Sequence, residues 1–252
     1  MPSPKEAELK LVSATVGMIL VLVSCAPTAK AVVFAVDTHW PPMEYLDDTK
    51  QPTGYDVELV KALAAAGGFT VEFRSVAWDS LFAGLESGTY DAIASAVVIN
   101  DARRTKYAFS DPYLNAGQVL VVPRGSPAVR LGDLKGRPIG VQTGTVAFDA
   151  VSRELGSSTR VKTYDAIDRA FADLAAGRVA GVVTETPVAA QYAVRNRRYP
   201  GAFLIVGTPL TTENYGLVVK KGNTALLETL NAALAKVKAA GTLEQLAASW
   251  LR

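Results

Sequence analysis

The sequence has one cysteine, Cys25, one histidine, His39, and almost no surplus of charge: 26 Lys+Arg stand against 24 Asp+Glu, a formal net charge of +2. Each shortage excludes a class. One cysteine cannot build a disulfide framework. With a single histidine as well, the chain has no Cys/His metal-ligand cluster and little to use for nucleophilic catalysis. Balanced charge offers no electrostatic case for nucleic acid. An apolar content of 49% with 20% charged residues is ordinary globular composition and excludes a disordered chain. At 252 residues the chain has room for one large or two small domains.

Charge is absent altogether from Leu11 to Ala29, a run of nineteen residues that contains Cys25. Lys5 and Lys10 precede an apolar core from Leu11 to Val23, the order of a secretory signal peptide, although Glu6 and Glu8 offset both lysines. The core ends in Leu22-Val23-Ser24-Cys25, which resembles the bacterial lipobox, where the cysteine is lipidated and becomes the first residue after cleavage. A buried structural thiol and a spanning anchor of about 20 residues are the alternatives; Pro27 and its small polar neighbours weaken the anchor. The expectation is a signal peptide over 1–24, lipidation at Cys25, a linker over 25–30, and a membrane-tethered protein in the periplasm or at the cell surface.

Beyond Ala31, β-rich runs alternate with amphipathic helical ones. Strands are expected at 32–36, 69–76 and 90–97, with helices at 55–66 and 79–86 between them. The same βαβαβ order returns with strands at 137–142, 161–164 and 179–184 and helices at 146–155 and 166–176. Leu85-x-x-Gly88 recurs as Leu174-x-x-Gly177, 89 residues on, and the same offset sets Ser95 opposite Thr184 and Ala96 opposite Glu185. Repetition on this scale predicts two similar α/β lobes. A strand at 215–221 and helices at 225–239 and 242–251 complete the chain.

In open α/β sheets ligands bind beyond the carboxyl ends of the strands. Those ends carry Asp37 and Trp40, Ser95 with Arg103 close behind, the turn from Thr143 to Val146, and Thr184 with Glu185. Arg103 offers a planar fork for a carboxylate. Gly144 and Thr145 lead into a helix N-terminus, which favours an anion. Glu185 could accept from an ammonium group, and Trp40 and Trp78 could supply flat apolar walls. Singly, each residue also reads as structural or solvated; jointly, they fit a zwitterion whose two ends are read separately.

Gly54-Tyr55-Asp56-Val57-Glu58-Leu59, the stretch from Asp91 to Arg104, Phe109-Ser110-Asp111-Pro112-Tyr113 and Gly140-Val141-Gln142-Thr143-Gly144-Thr145 resemble the polar amino-acid-binding proteins of ABC importers, bacterial extracellular solute-binding proteins of family 3. Through Gly177-Arg178-Val179, Asn214-Tyr215-Gly216, Gly241-Thr242 and Trp250 the similarity covers nearly the whole chain beyond the leader. It implies a type II periplasmic-binding-protein fold: two lobes, 31–115 with 213–252 and 116–212, joined by a two-strand hinge. It further implies that Arg103 grips the ligand carboxylate with backbone N–H groups of Thr145 and Val146, and that Glu185 and a carbonyl near Ala96 take the ammonium. By the same resemblance Trp40 lies over the ligand side chain, Trp78 lines the opposite wall, and Asp37 reads a cationic side chain.

Two positions depart from the pattern: Val98 where the family usually has Ser or Thr, and Glu185 where it usually has Asp. The expected partners are a small zwitterion, an ABC permease and, through the lipid anchor, a membrane. The chain is expected to be a monomer without nucleic acid, cofactor or metal, and not an enzyme. The alternatives are a cyclohexadienyl dehydratase-like enzyme on the same fold, with Glu185 as general acid, and a ligand-sensing module.

Overall fold

A computed structural model describes residues 30–156 and 159–251. The signal segment 1–24, the lipidation position Cys25 and linker residues 25–29 lie outside the described residues. Within them, no helix is long and apolar enough to cross a membrane.

The chain begins with β1 (Val32–Val36), whose Phe34, Ala35 and Val36 are wholly buried, and continues into a small antiparallel sheet of β2 (His39–Trp40), β3 (Glu44–Leu46) and β4 (Pro52–Thr53). Helix α1 (Tyr55–Gly67) follows directly. Gly54 precedes it with φ of 122°, a conformation that L side chains rarely adopt. A Cβ there would also meet the Met43 carbonyl oxygen at 2.4 Å. The close approach lets the amides of Tyr55 and Asp56 donate to Pro42 O and Met43 O at 3.0 and 2.9 Å, which docks the first turn of α1 onto the 42–44 segment. Buried Val57, Leu59, Val60 and Leu63 hold the helix on the core, and Gly68 in the left-handed region closes it by donating to Ala64 O.

Next come β5 (Val71–Ser75), α2 (Leu81–Ser87), β6 (Ala92–Ile93), α3 (Asp101–Lys106), β7 (Tyr107–Phe109) and β8 (Leu114–Ala116). The second half holds β9 (Gln118–Pro123), β10 (Ile139–Gln142), α4 (Ala147–Leu155), β11 (Val161–Tyr164), α5 (Ile167–Ala175), β12 (Gly181–Glu185), α6 (Thr186–Ala190) and β13 (Phe203–Val206). The chain then returns through β14 (Glu213–Tyr215), β15 (Val218–Lys220), α7 (Thr224–Ala239) and α8 (Thr242–Trp250).

Two five-stranded sheets result, ordered β5-β1-β6-β15-β7 and β11-β10-β12-β9-β13. In both, three parallel strands are followed by one that runs against them and a fifth that pairs antiparallel with it. The expected repetition is therefore a repetition of topology: β1 and β10 hold the same place, as do β6 and β12. The fold is the two-lobed type II binding-protein architecture. Strands β8 and β14 pair antiparallel, with Asn214 opposite Asn115, and carry the chain from one sheet to the other and back.

Two strands differ from expectation. The run 90–97 keeps only Ala92–Ile93 in the sheet, because beyond Ile93 the backbone turns away and Ala96 adopts φ of 45°. The run 215–221 breaks into β14 and β15 at Gly216, where the chain leaves the crossing pair for the first sheet. A Cβ at Gly216 would meet Ile99 at 2.8 Å.

α5 buries Ile167, Ala170, Phe171 and Leu174, and Phe171 stacks on Tyr192 with ring centroids 3.9 Å apart. Ile167, Phe171 and Leu174 each contribute roughly 1.5–3 kcal/mol by burial. Packing of this kind makes each sheet a firm platform for the residues at its strand ends.

Candidate functional site

The carboxyl ends of β1, β6, β10 and β12 converge on one cavity, lined by Trp40, Trp78, Ser95, Ala96, Val98, Arg103, Gln142, Thr145, Val146 and Glu185. Its volume is about 260 Å³. Both lobes contribute. Trp40 to Arg103 follow strands of the first sheet, and Gln142 to Glu185 end or follow strands of the second.

Arg103 is placed by its helix. Asn100 caps α3, its Oδ1 accepting from Arg103 N–H at 2.8 Å, so the guanidinium leaves the first turn toward the cavity. Its Nη1 donates to Val98 O at 2.9 Å and its Nη2 to Gly144 O at 3.3 Å, the latter across the cleft. The guanidinium lies 5.4 Å from the centre of the Trp78 ring and 5.6 Å from that of Phe82. Burial lowers its pKa, while the negative charges of Glu185, Glu213 and Asp149 act in the opposite sense.

On the facing lobe, Gly144 has φ of 73°, and a Cβ there would approach Trp78 Nε1 at 3.2 Å. Thr145 turns both its hydroxyl, at 2.9 Å, and its N–H, at a long 3.4 Å, toward Gln142 O. Val146 N–H has no backbone acceptor among the described residues, which makes it the free amide at the start of α4.

Glu185 is buried, 3% exposed, and sits opposite Gln118 in the β12–β9 ladder. Burial raises its pKa, Gln118 opposes the rise, and the charge of Glu213 adds to it. Gln118 also donates to Glu213 Oε2 at 2.9 Å, which links the acid to hinge strand β14.

Of the nine positions expected to touch ligand, Trp40, Trp78, Ala96, Val98, Arg103, Thr145, Val146 and Glu185 line this cavity. Asp37 does not. It lines an adjoining cleft with His39, Trp78, Asp165, Asp168 and Arg169. Its Oδ1 accepts from His39 N–H at 3.2 Å and lies 3.1 Å from His39 Nδ1; burial raises its pKa and His39 counters the rise. Ser95 and Gln142 also line the cavity without having been singled out as ligand contacts. The strand-end rule that pointed to Glu185 applies equally to both. Among the described residues no group of three His, Cys, Asp or Glu side chains is placed to hold a metal ion.

The profile of the bacterial extracellular solute-binding proteins, family 3, matches residues 32–252. A "probable histidine-binding protein" of Neisseria gonorrhoeae is 35% identical over 232 residues, 90% of this chain and 86% of that protein. The solved arginine-, lysine-, histidine-binding protein of Geobacillus stearothermophilus superposes with a TM-score of 0.82 at 33% identity, covering 88% of this chain and 95% of that one. An ancestral amino-acid-binding protein described as a precursor of cyclohexadienyl dehydratase gives a TM-score of 0.80 at 31% identity, covering 88% and 96%.

Proposed function

The chain belongs to the bacterial extracellular solute-binding proteins, family 3, and from that premise we propose that it captures a free amino acid between its lobes and delivers it to an ABC importer. One observation carries the reading: half-buried Arg103 and buried Glu185, opposite in charge, face one cavity from different lobes, and Trp40 and Trp78 line it with them. Arg103 and Val146 N–H take the carboxylate, and Glu185 takes the ammonium. The lobes already touch across this cavity through Arg103 and Gly144, so an amino acid enters when they part, and binding is closure about β8 and β14. Lobe limits of 31–115 with 213–252, and 116–212, go with this mechanism.

The side chain of the ligand points toward Asp37, and we read it as cationic. Asp168 lies in the same adjoining cleft, where Asp165 is already paired with Arg169 Nη1 at 2.8 Å, and the relatives above are named for histidine, arginine and lysine. Lipidation at Cys25 tethers the protein near its permease. Mass spectrometry of the membrane fraction checks the anchor, since Cys25→Ser abolishes the acylated species.

Thermal unfolding with a panel of the twenty amino acids tests the binding role. A ligand at 100 times its Kd stabilises by about 2.7 kcal/mol, and arginine, lysine or histidine gives the largest shift. No shift with any of them overturns the reading. Loss of absorbance change on incubation with prephenate or arogenate separates binding from dehydratase activity: a binder leaves both substrates unchanged.

A further inference from the structure

The cavity wall at Ser95 and Ala96 is held from behind by two carboxyls that ligand binding leaves unused. Glu44 and Asp56 are wholly buried, 0% exposed. Ser95 Oγ donates to Glu44 Oε1 at 2.7 Å and accepts from Asp37 N–H at 3.0 Å. Asp56 Oδ2 accepts from Ala96 N–H at 2.6 Å and from the Tyr113 hydroxyl at 2.8 Å. The other two oxygens, Glu44 Oε2 and Asp56 Oδ1, are buried without a donor. The two side chains are within hydrogen-bonding reach of each other.

The titratable groups that face the pair are Asp37, Tyr55, Tyr113 and Tyr215. Among the described residues no lysine, arginine or histidine forms an ion pair with either carboxyl. Two adjacent buried carboxylates without a cation cannot both stay ionised. One proton between Oε2 and Oδ1 satisfies both orphaned oxygens with a charge-assisted bond. Burial pushes both carboxyls up; Asp56 accepts from two donors, Ala96 N–H and the Tyr113 hydroxyl, and Glu44 from Ser95 alone, so the proton resides on Glu44.

The direction of these bonds matters for the ligand. The single hydroxyl proton of Ser95 goes to Glu44, and the amide proton of Ala96 goes to Asp56. Neither the Ser95 hydroxyl nor the Ala96 amide keeps a proton to give toward the cavity; the hydroxyl oxygen and the Ala96 carbonyl are left to accept. Ala96 holds a positive φ of 45°, a strained conformation for a residue with a Cβ, and the bond to Asp56 fixes it there. Donors stand elsewhere, at Arg103 and Val146.

We propose that Glu44 and Asp56 share one proton and are positioning residues that make the Ser95–Ala96 wall an acceptor surface selecting the ligand's ammonium end. The selection half rests on the amino-acid-binding reading; the shared proton does not.

Infrared spectroscopy of the ligand-free protein at neutral pH reads the pair directly. A protonated-carboxyl C=O band is expected that persists in Glu185→Gln and vanishes in Glu44→Gln. Glutamine reproduces both hydrogen bonds of a protonated Glu44, so Glu44→Gln should hold affinity for the best amino acid within about threefold. Glu44→Leu frees the Ser95 proton to face the cavity and should weaken binding by about tenfold or more. A wild-type spectrum without the band, an affinity loss of about tenfold in Glu44→Gln, or unchanged affinity in Glu44→Leu would each overturn the proposal. If no amino acid binds, the binding reading fails by itself and the band alone decides the shared proton; if Glu44→Leu does not fold, the band and Glu44→Gln decide.

Discussion

Arg103 Nη2 donates to the carbonyl oxygen of Gly144 at 3.3 Å, and through this bond α3 of one lobe touches the β10–α4 turn of the other. The same guanidinium is tied to Val98 O in its own lobe and covered by Trp78 and Phe82. A cation fixed at that point, beside a free amide at Val146, is prepared for a carboxylate. If Arg103 takes the ligand as proposed, its bond to Gly144 couples capture to the approach of the lobes.

Replacing Arg103 by Ala leaves a bound carboxylate unpaired and is expected to cost about 2 to 5 kcal/mol of binding. Arg103→Lys should recover only part of this, because a point charge cannot reproduce the planar fork. Calorimetric titration of both variants checks the order wild type, Lys, Ala.

Val98 lines the cavity next to Arg103 with no group to offer a ligand. Val98→Thr keeps the shape and adds a hydroxyl, and should tighten amino-acid binding by about 0.5 to 1.5 kcal/mol. Titration against the wild type reads the change; weaker binding would place the ligand's polar end elsewhere.

Much of this site was legible from sequence, for reasons that also explain what was not. Thr145 and Glu185 stand where a periodic run ends in polar residues, and a strand-end rule finds them; Arg103, in α3 behind such an end, was legible through the family resemblance. Glu44 and Asp56 offer no such signal. Glu44 follows two prolines and Met43 in a segment without periodicity, and Asp56 reads as an ordinary acid in the first turn of α1. Their pairing exists only because Gly54 lets the two segments approach, a long-range contact that no local pattern encodes. Ala96 was legible as a strand-end position, but its positive φ was not, since alanine gives no warning of a left-handed backbone.

Binding should also depend on pH through Glu185. Its folded pKa is raised by burial, and the ammonium of a ligand requires the ionised acid. Affinity should therefore weaken as pH falls through that raised value, while Glu185→Gln binds weakly at every pH. Titrations from acid to neutral pH test the difference.

Away from the cleft, Asp173 accepts from Lys162 Nζ at 2.5 Å, from Arg178 Nε at 2.7 Å and from the Tyr164 hydroxyl at 2.7 Å. The hydrogen bond from Arg178, then those from Lys162 and Tyr164, hold its carboxyl well below the usual range. A depressed folded pKa contributes stability that is present above the unfolded value of about 3.9 and is lost as pH falls through the folded one. Asp173→Asn should cost about 1 to 3 kcal/mol at neutral pH. Denaturant titrations should show the gap to wild type narrowing in acid.

The most direct test of the account is native mass spectrometry of the chain from residue 30 onward, titrated with arginine, lysine and histidine. A one-to-one adduct is expected for the wild type with at least one of the three, and its loss in both Arg103→Ala and Glu185→Gln. An adduct that survives both substitutions, or no adduct with any of the three amino acids, would contradict it.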